Sequence, residues 1–281
     1  MTSTSTHPDA GIWGSKTPPA SGRYAKVNGL ELYYETHGSG KPLILLHGGL
    51  GAGSMFGANL PALAANHQVI AVDLQGHGRT ADIDRPLRIQ YMADDVAALI
   101  EHLGLGRVDV MGYSLGGGVA LQVGLRHPHL VNKLVLVSVA TRNTAFHPEI
   151  LAQQGMVNGS VAPMMKETPM YQLYSAIAPR VEDFPKLLDK IGDLMKEDFD
   201  LSQDVAKLKA PTLIVAGDSD LFPPSHAVET FALLGGGLKD PGWDGSGLPK
   251  SQLAILPGLT HYNIFADPSL ATTALRFLDA P

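Results

Sequence analysis

The side chain best placed to act as a nucleophile is Ser114, in Gly112-Tyr113-Ser114-Leu115-Gly116. An apolar run over residues 107–111 precedes it and a helical pattern over residues 114–126 follows. A serine on a sharp strand-to-helix turn is held in a strained conformation, tolerated only where its neighbours are nearly free of side chains. The flanking glycines supply that space. The hydroxyl then projects from the carboxyl edge of a sheet, and the helix N-terminus behind it favours developing negative charge.

A neutral hydroxyl attacks poorly without a base within hydrogen-bond reach. The chain has 11 histidines. His261, in Pro257-Gly258-Leu259-Thr260-His261, follows the last apolar run and so falls at the same sheet edge as Ser114. His77 also follows a strand but precedes the nucleophile. His127 and His129 flank Pro128 at a helix end, where capping or solvation accounts for them, and His226 begins a helix. The imidazole in turn needs a carboxylate to set its tautomer. Gly217-Asp218-Ser219-Asp220 follows the run at residues 211–216. Asp220, deeper in the loop, is favoured, with Asp218 as the alternative. Residues 138–141 follow another strand but contain no carboxylate. Acyl transfer also creates an oxyanion that needs two N–H donors. Leu115 offers one. The other is assigned to Gly49, in His47-Gly48-Gly49, with Leu50 as alternative. Asp73 is expected to bond turn amides, and Asp94 and Asp95 to sit in the first turn of a helix.

These residues must be carried by a particular scaffold. Residues 42–46, 68–72, 107–111, 131–137, 211–216 and 253–256 are short apolar runs of the kind buried on both faces of a sheet. Helical patterns alternate with them, around 55–65, 94–103 and 114–126. That rhythm predicts an α/β class, a mostly parallel sheet wrapped by helices. Asn28-Gly29 between two extended runs predicts a hairpin. Residues 140–206 contain helical patterns and no buried strand, and are expected to form a helical cap on a core of 23–139 and 207–281. Met156, Met164, Met165, Tyr171 and Tyr174 in that cap are expected to line an adaptable apolar pocket, although they would equally serve as packing. Residues 235–250, rich in glycine and proline, predict a long surface loop.

At 281 residues and 44% hydrophobic, the chain can bury one large core. A net charge of −6 with no basic cluster argues against nucleic acid or an anionic membrane as partner. The absence of cysteine excludes disulfides, thiolate zinc sites and a cysteine nucleophile. It also suits a cytoplasmic location, which is the expectation. Residues 1–22 have neither a basic start nor an apolar run and are expected to be a disordered tail, not a secretory signal. No stretch is long and apolar enough to span a bilayer.

His47-Gly48-Gly49, Asp73-Leu74-Gln75-Gly76-His77-Gly78-Arg79, Gly112-Tyr113-Ser114-Leu115-Gly116-Gly117, Gly217-Asp218-Ser219-Asp220 and Gly258-Leu259-Thr260-His261 resemble the successive signature blocks of the α/β-hydrolase superfamily. The resemblance runs from about residue 24 to 278. It is closest to the branch of carboxylesterases, enol-lactonases, cofactor-free perhydrolases and carbon–carbon bond hydrolases. It implies the order nucleophile, acid, histidine, met by Ser114, Asp220 and His261, with the acid closing a Gly-x-x-Asp block. Relatives that open epoxides or displace halide carry aspartate at the nucleophile position, so Ser114 disfavours those reactions. The 235–250 segment is longer than the family's usual connection, and Thr80 stands where many relatives have serine. The implied function is hydrolysis of a small, largely apolar ester or lactone through an acyl-enzyme, with no metal or organic cofactor. Carbon–carbon hydrolysis or peracid formation would use the same residues. A non-catalytic ligand-binding receptor on this fold is a third reading, at odds with a strained, activated serine.

Overall fold

The computed structural model describes residues 21–280. The tail expected over residues 1–22 lies outside the described residues up to residue 20, and Gly22 already opens the first strand. The strands are β1 (Gly22–Val27), β2 (Leu30–His37), β3 (Lys41–Leu46), β4 (His67–Val72), β5 (Val108–Tyr113), β6 (Val131–Val137), β7 (Thr212–Ser219) and β8 (Gln252–Thr260). The helices are α1 (Asn59–Ala64), α2 (Ile89–His102), α3 (Leu115–Arg126), α4 (Pro148–Gln154), α5 (Pro169–Ile177), α6 (Phe184–Met195), α7 (Ser202–Val205), α8 (Pro224–Leu233) and α9 (Pro268–Leu278).

One eight-stranded sheet runs in the order β1-β2-β4-β3-β5-β6-β7-β8. β1 and β2 form the hairpin, turning at Asn28 and Gly29, both at positive φ, and β2 pairs antiparallel with β4. From β4 to β8 every pairing is parallel. The period of two along a strand divides the core. Ile44 and Leu46 of β3 face one side, with Val96 and Val123 of α2 and α3. Leu43 and Leu45 face the other, with Leu63 of α1 and Phe277 of α9. Each such fully buried aliphatic side chain contributes about 1.5–3 kcal/mol, and so helices are retained on both faces. The parallel strands end on a common edge, and the loops leaving β3, β5, β6, β7 and β8 meet there.

Two boundaries differ from expectation. α2 begins at Ile89, a turn and a half before the expected start, and its N-cap, Arg88, makes no side-chain cap bond that would mark that start. Asp94 and Asp95 therefore sit mid-helix and act as ion-pair partners. Asp94 accepts from Arg126 and His127, while Asp95 accepts from Arg85 and Asn28. β8 continues through Pro257 and Gly258 to Thr260. Proline is tolerated because β8 is the edge strand, and the register shift opposite 217–219 absorbs the irregularity.

Four helices, α4 to α7, and several 3₁₀ turns occupy the segment between β6 and β7, where an isolated bridge joins Arg142 and Asp200. Helix α5 lays Leu173 and Ile177 on Ala52, in the loop after β3. Helix α6 sends Lys190 into the loop after β4, where its ammonium donates to both Asp82 carboxylate oxygens at 2.7 and 2.8 Å. Lys186 lies 3.1 Å from the same carboxylate and Gln75 donates to it at 2.9 Å. Residues 235–250 form no helix or strand, and Trp243 within them is fully exposed. Among the described residues no helix is long and apolar enough to cross a membrane.

Burial works to raise the Asp82 pKa, but the bonds from Gln75, Lys190 and Lys186 outweigh it and hold the carboxyl below its usual range. Asp82→Ala should therefore lower the unfolding free energy at pH 7 by about 3 kcal/mol, since it strands a largely buried ammonium. A depressed folded-state pKa means this contribution is complete above the unfolded value and lost as pH falls through the folded one. In urea titrations the gap between wild type and variant should accordingly close below about pH 4.

Candidate active site

Ser114 caps α3 with φ 52° and ψ −117°, left-handed backbone for a residue that is not glycine. The turn closes only because its flanks are bare. A Cβ on Gly116 would overlap the carbonyl oxygens of Leu46 and His47, and one on Gly112 would overlap the backbone of Gly116 and Gly117. β5 and α3 are thus pressed together, and Ser114 is carried at their junction, partly exposed.

His261 Nε2 lies 3.0 Å from Ser114 Oγ, and His261 Nδ1 lies 2.8 Å from Asp220 Oδ1. With Nδ1–H donating to the carboxylate, Nε2 is left as an acceptor for the serine hydroxyl. Asp220 also receives the Leu221 N–H at 2.8 Å, the Gly217 N–H at 3.3 Å and the Ser138 hydroxyl at 2.5 Å. Burial pushes its pKa up, yet the bonds from His261, Ser138 and Leu221 prevail and hold it below the usual carboxylate range. Asp218 does not take this place. It is exposed and accepts the Gly258 N–H at 3.0 Å.

The loop after β3 passes directly beside the serine. A Cβ on Gly48 would fall 3.5 Å from Ser114 Cβ, and one on Gly49 would fall 4.0 Å from Leu115 Cδ2. The turn closes through a Gly51 N–H bond to Gly48 O at 3.1 Å, with Leu50 at φ 57°. Leu115 is the first residue of α3, so its N–H has no partner within the helix. His47 props this loop from beneath. Its Nε2 accepts the Leu74 N–H at 3.0 Å, so Nδ1–H must donate to Gly48 O at 2.7 Å. Asp73 ties the same loop to the one after β4, accepting from Gly53 N–H and Arg79 N–H, each at 2.8 Å. Burial raises its pKa to about 6, against the pull of those two amides.

The competing histidines stand elsewhere. His77 is fully buried against His47, ring centroids 5.2 Å apart, with Nδ1 bonded to Gln75 O. His127 pairs with Asp94, His129 lies 4.0 Å from Glu101, and buried His226 accepts the Thr141 N–H at 3.0 Å. The pocket expectation needs correction. Met156 and Met164 are 61% and 76% exposed, because α4 buries none of its residues and the following 3₁₀ turn offers only a narrow apolar face. Tyr171 and Tyr174 both pack on Phe184, at ring centroid distances of 5.0 and 5.1 Å, and Met165 is half-buried beside the same cluster. Tyr171 does border a shallow cleft with Ala162, Pro163 and Phe184, but Ser114, Asp220 and His261 are not among its walls.

Two residues that the sequence reading passed over touch the site. Tyr113, in the variable position of the serine motif, donates its hydroxyl to His261 O at 2.6 Å and stacks obliquely on that imidazole. Ser138 bears no carboxylate, and its hydroxyl reaches Asp220 from the end of β6. A polar residue directly following a buried strand, beside the strand that leads to Ser114, is the signal the sequence offers for it. Among the described residues no group of three or more His, Asp or Glu is placed to hold a metal ion.

Known proteins agree with this architecture. The family profile for the alpha/beta hydrolase fold matches residues 41–164. RutD of Rhizobium rhizogenes, named as a carbamate hydrolase, is 30% identical over 278 residues, 89% of this chain and 98% of that protein. The 2-hydroxy-6-oxo-6-(2'-aminophenyl)hexa-2,4-dienoic acid hydrolase of Metapseudomonas resinovorans is 28% identical over 282 residues, covering 91% and 90% of the two chains. Among solved structures, the enol-lactonase of Burkholderia xenovorans LB400 superposes with a TM-score of 0.70 at 20% identity, over 92% of this chain and 100% of that one. The chain belongs to the α/β-hydrolase family, and it is a hydrolase.

Burial lowers the His77 pKa to about 4. A histidine whose folded pKa is depressed resists protonation in the native state while the unfolded chain takes up a proton below about pH 6.5. Wild-type stability should therefore fall relative to His77→Asn by about 1.4 kcal/mol per pH unit between pH 6 and 4.5. Denaturant titrations of both proteins across that window measure the difference, and parallel pH curves would contradict it.

Proposed function

We propose that this hydrolase cleaves a carboxylic ester or lactone of a small, largely apolar molecule through an acyl-enzyme at Ser114. The observation that carries the reading is the unbroken hydrogen-bond chain from Ser114 Oγ through His261 to Asp220, with its 3.0 and 2.8 Å links. As Oγ attacks the carbonyl carbon, His261 Nε2 takes its proton, and the Asp220 carboxylate stabilises the imidazolium that forms. The carbonyl π electrons move onto oxygen. The Leu115 N–H and the Gly49 N–H, or that of Leu50, stabilise the resulting oxyanion. Collapse expels the alkoxide, which receives the His261 proton. Water, deprotonated by the same imidazole, then attacks the acyl-enzyme and frees Ser114.

The partly buried apolar residues Leu50, in the loop after β3, and Leu115, directly after Ser114, favour an uncharged, hydrophobic acyl group. A second reading, carbon–carbon bond hydrolysis, draws on the likeness to the dienoic acid hydrolase. It uses the same serine, histidine and aspartate but requires a diketone-like substrate. The likeness to RutD adds carbamates to the acyl compounds worth testing.

A p-nitrophenyl ester series from acetate to octanoate tests the main reading. Wild type should turn over, Ser114→Ala should lose about 10⁴- to 10⁶-fold in kcat, and Asp220→Asn about 10⁴-fold. Equal turnover by Ser114→Ala would refute it. A vinylogous diketone cleaved faster than every ester would favour the second.

A further inference from the structure

Ser138 follows β6 directly and is 3% exposed. Its φ is 55°, a left-handed conformation that glycine adopts freely and serine only against steric resistance. Among the described residues the other non-glycine residues at positive φ are Asn28, Leu50 and Ser114. Asn28 belongs to the hairpin turn, where asparagine is common. Leu50, Ser114 and Ser138 all border the candidate site. Backbone strain persists only where the surroundings over-determine it, and it gathers where a side chain must be aimed.

The surroundings of Ser138 are specific. Its N–H donates to Val215 O at 2.8 Å, which continues the pairing of β6 with β7 past the strand end. Its hydroxyl thereby reaches across to Asp220 Oδ2 at 2.5 Å. The two Asp220 oxygens are held differently. Oδ1 receives His261 Nδ1–H and Leu221 N–H, both at 2.8 Å, whereas Oδ2 receives Ser138 and, at 3.3 Å, the Gly217 N–H. Without the serine hydroxyl, Oδ2 would be left with one long amide contact, and rotation of the carboxylate about its Cβ–Cγ bond would be only weakly opposed.

We propose that Ser138 is a positioning residue: its hydroxyl locks the Asp220 carboxylate with Oδ1 toward His261 and withdraws part of the negative charge that faces the imidazole. This rests on the reading of Ser114 as a nucleophile activated by His261. A helper serine after β6 makes use of a strand end that carries no acid in this chain. It also explains why a residue that strains the backbone stands where glycine would relax it. The titratable groups against the imidazole are Asp220, from the end of β7, and the phenols of Tyr113 and Tyr262. Ser138 alters the first of these and contacts neither phenol through any bond described above.

The test is the rate at which a fluorophosphonate labels Ser114 between pH 5 and 9, in wild type, Ser138→Ala and Ser138→Gly, with thermal melting of each. This readout needs no knowledge of the natural substrate. Both variants should label about ten- to a hundred-fold more slowly, the loss expected for a hydrogen bond to a charged group. In both, the acid limb of the rate profile should move to higher pH, because a carboxylate with one donor fewer attracts the imidazolium more strongly. Ser138→Gly should melt higher than Ser138→Ala, since both lose the hydroxyl but only glycine accommodates φ 55°. Wild-type rates and an unmoved acid limb in both variants would overturn the proposal. So would a slower rate with an unmoved limb, which would assign the serine to packing. Failure of the parent reading looks different: wild type itself would then not be labelled at Ser114, or Ser114→Ala would be labelled equally.

Discussion

The site depends on a close approach of backbones. β5 must turn into α3 within one residue while α3 lies against the end of β3, and any side chain at Gly112 or Gly116 would occupy space already held by main-chain atoms. That contact forces Ser114 to φ 52° and presents its hydroxyl above the sheet edge. It also sets the loop after β3 against Ser114 and Leu115, so the serine hydroxyl and the backbone amides beside it share one compression. A looser turn would lose both together.

Around this point the polar groups are satisfied in layers. Neutral His47 bonds two backbone groups and carries the loop after β3, held uncharged by burial and by the neighbouring His77, which depress its pKa to about 3. Asp73 fastens that loop to its neighbour through two amides. Tyr113 and Ser138 do the same for the histidine and the acid, each with one buried hydroxyl. The helical segment between β6 and β7 is fastened through a different chemistry. Lys190 and Lys186 of α6 enclose Asp82, and apolar α5 rests on Ala52. A buried ion pair adds little net stability over apolar packing, but it is costly to leave half-made.

The likeness to a carbamate hydrolase, a dienoic acid hydrolase and an enol-lactonase fits an architecture that carries different hydrolytic reactions. In this chain the covering segment is short of enclosed apolar surface near its first helix, α4, and richer around α5 and α6, where Tyr171, Tyr174 and Phe184 form a small aromatic core. Met156 and Met164 stand exposed to solvent.

Sequence alone determined the α/β class, the strand that carries Ser114, and the pairing of chain order with chemistry that singled out His261 and Asp220. Those features are local: apolar runs of the right length, glycines at fixed offsets, and polar residues immediately after strands. Only the tertiary structure decided between Asp218 and Asp220, because both leave β7 at the same edge and the choice depends on which carboxylate β8 and the end of β6 enclose. It alone revealed Ser138 and Tyr113, whose partners lie 82 and 148 residues away. It also moved Asp94 and Asp95 into the middle of α2 and Met156 and Met164 into solvent. Helix starts without a side-chain cap and single apolar residues on short helices carry no local mark of their surroundings. Their roles are set by what packs against them, and that is settled only when distant segments meet.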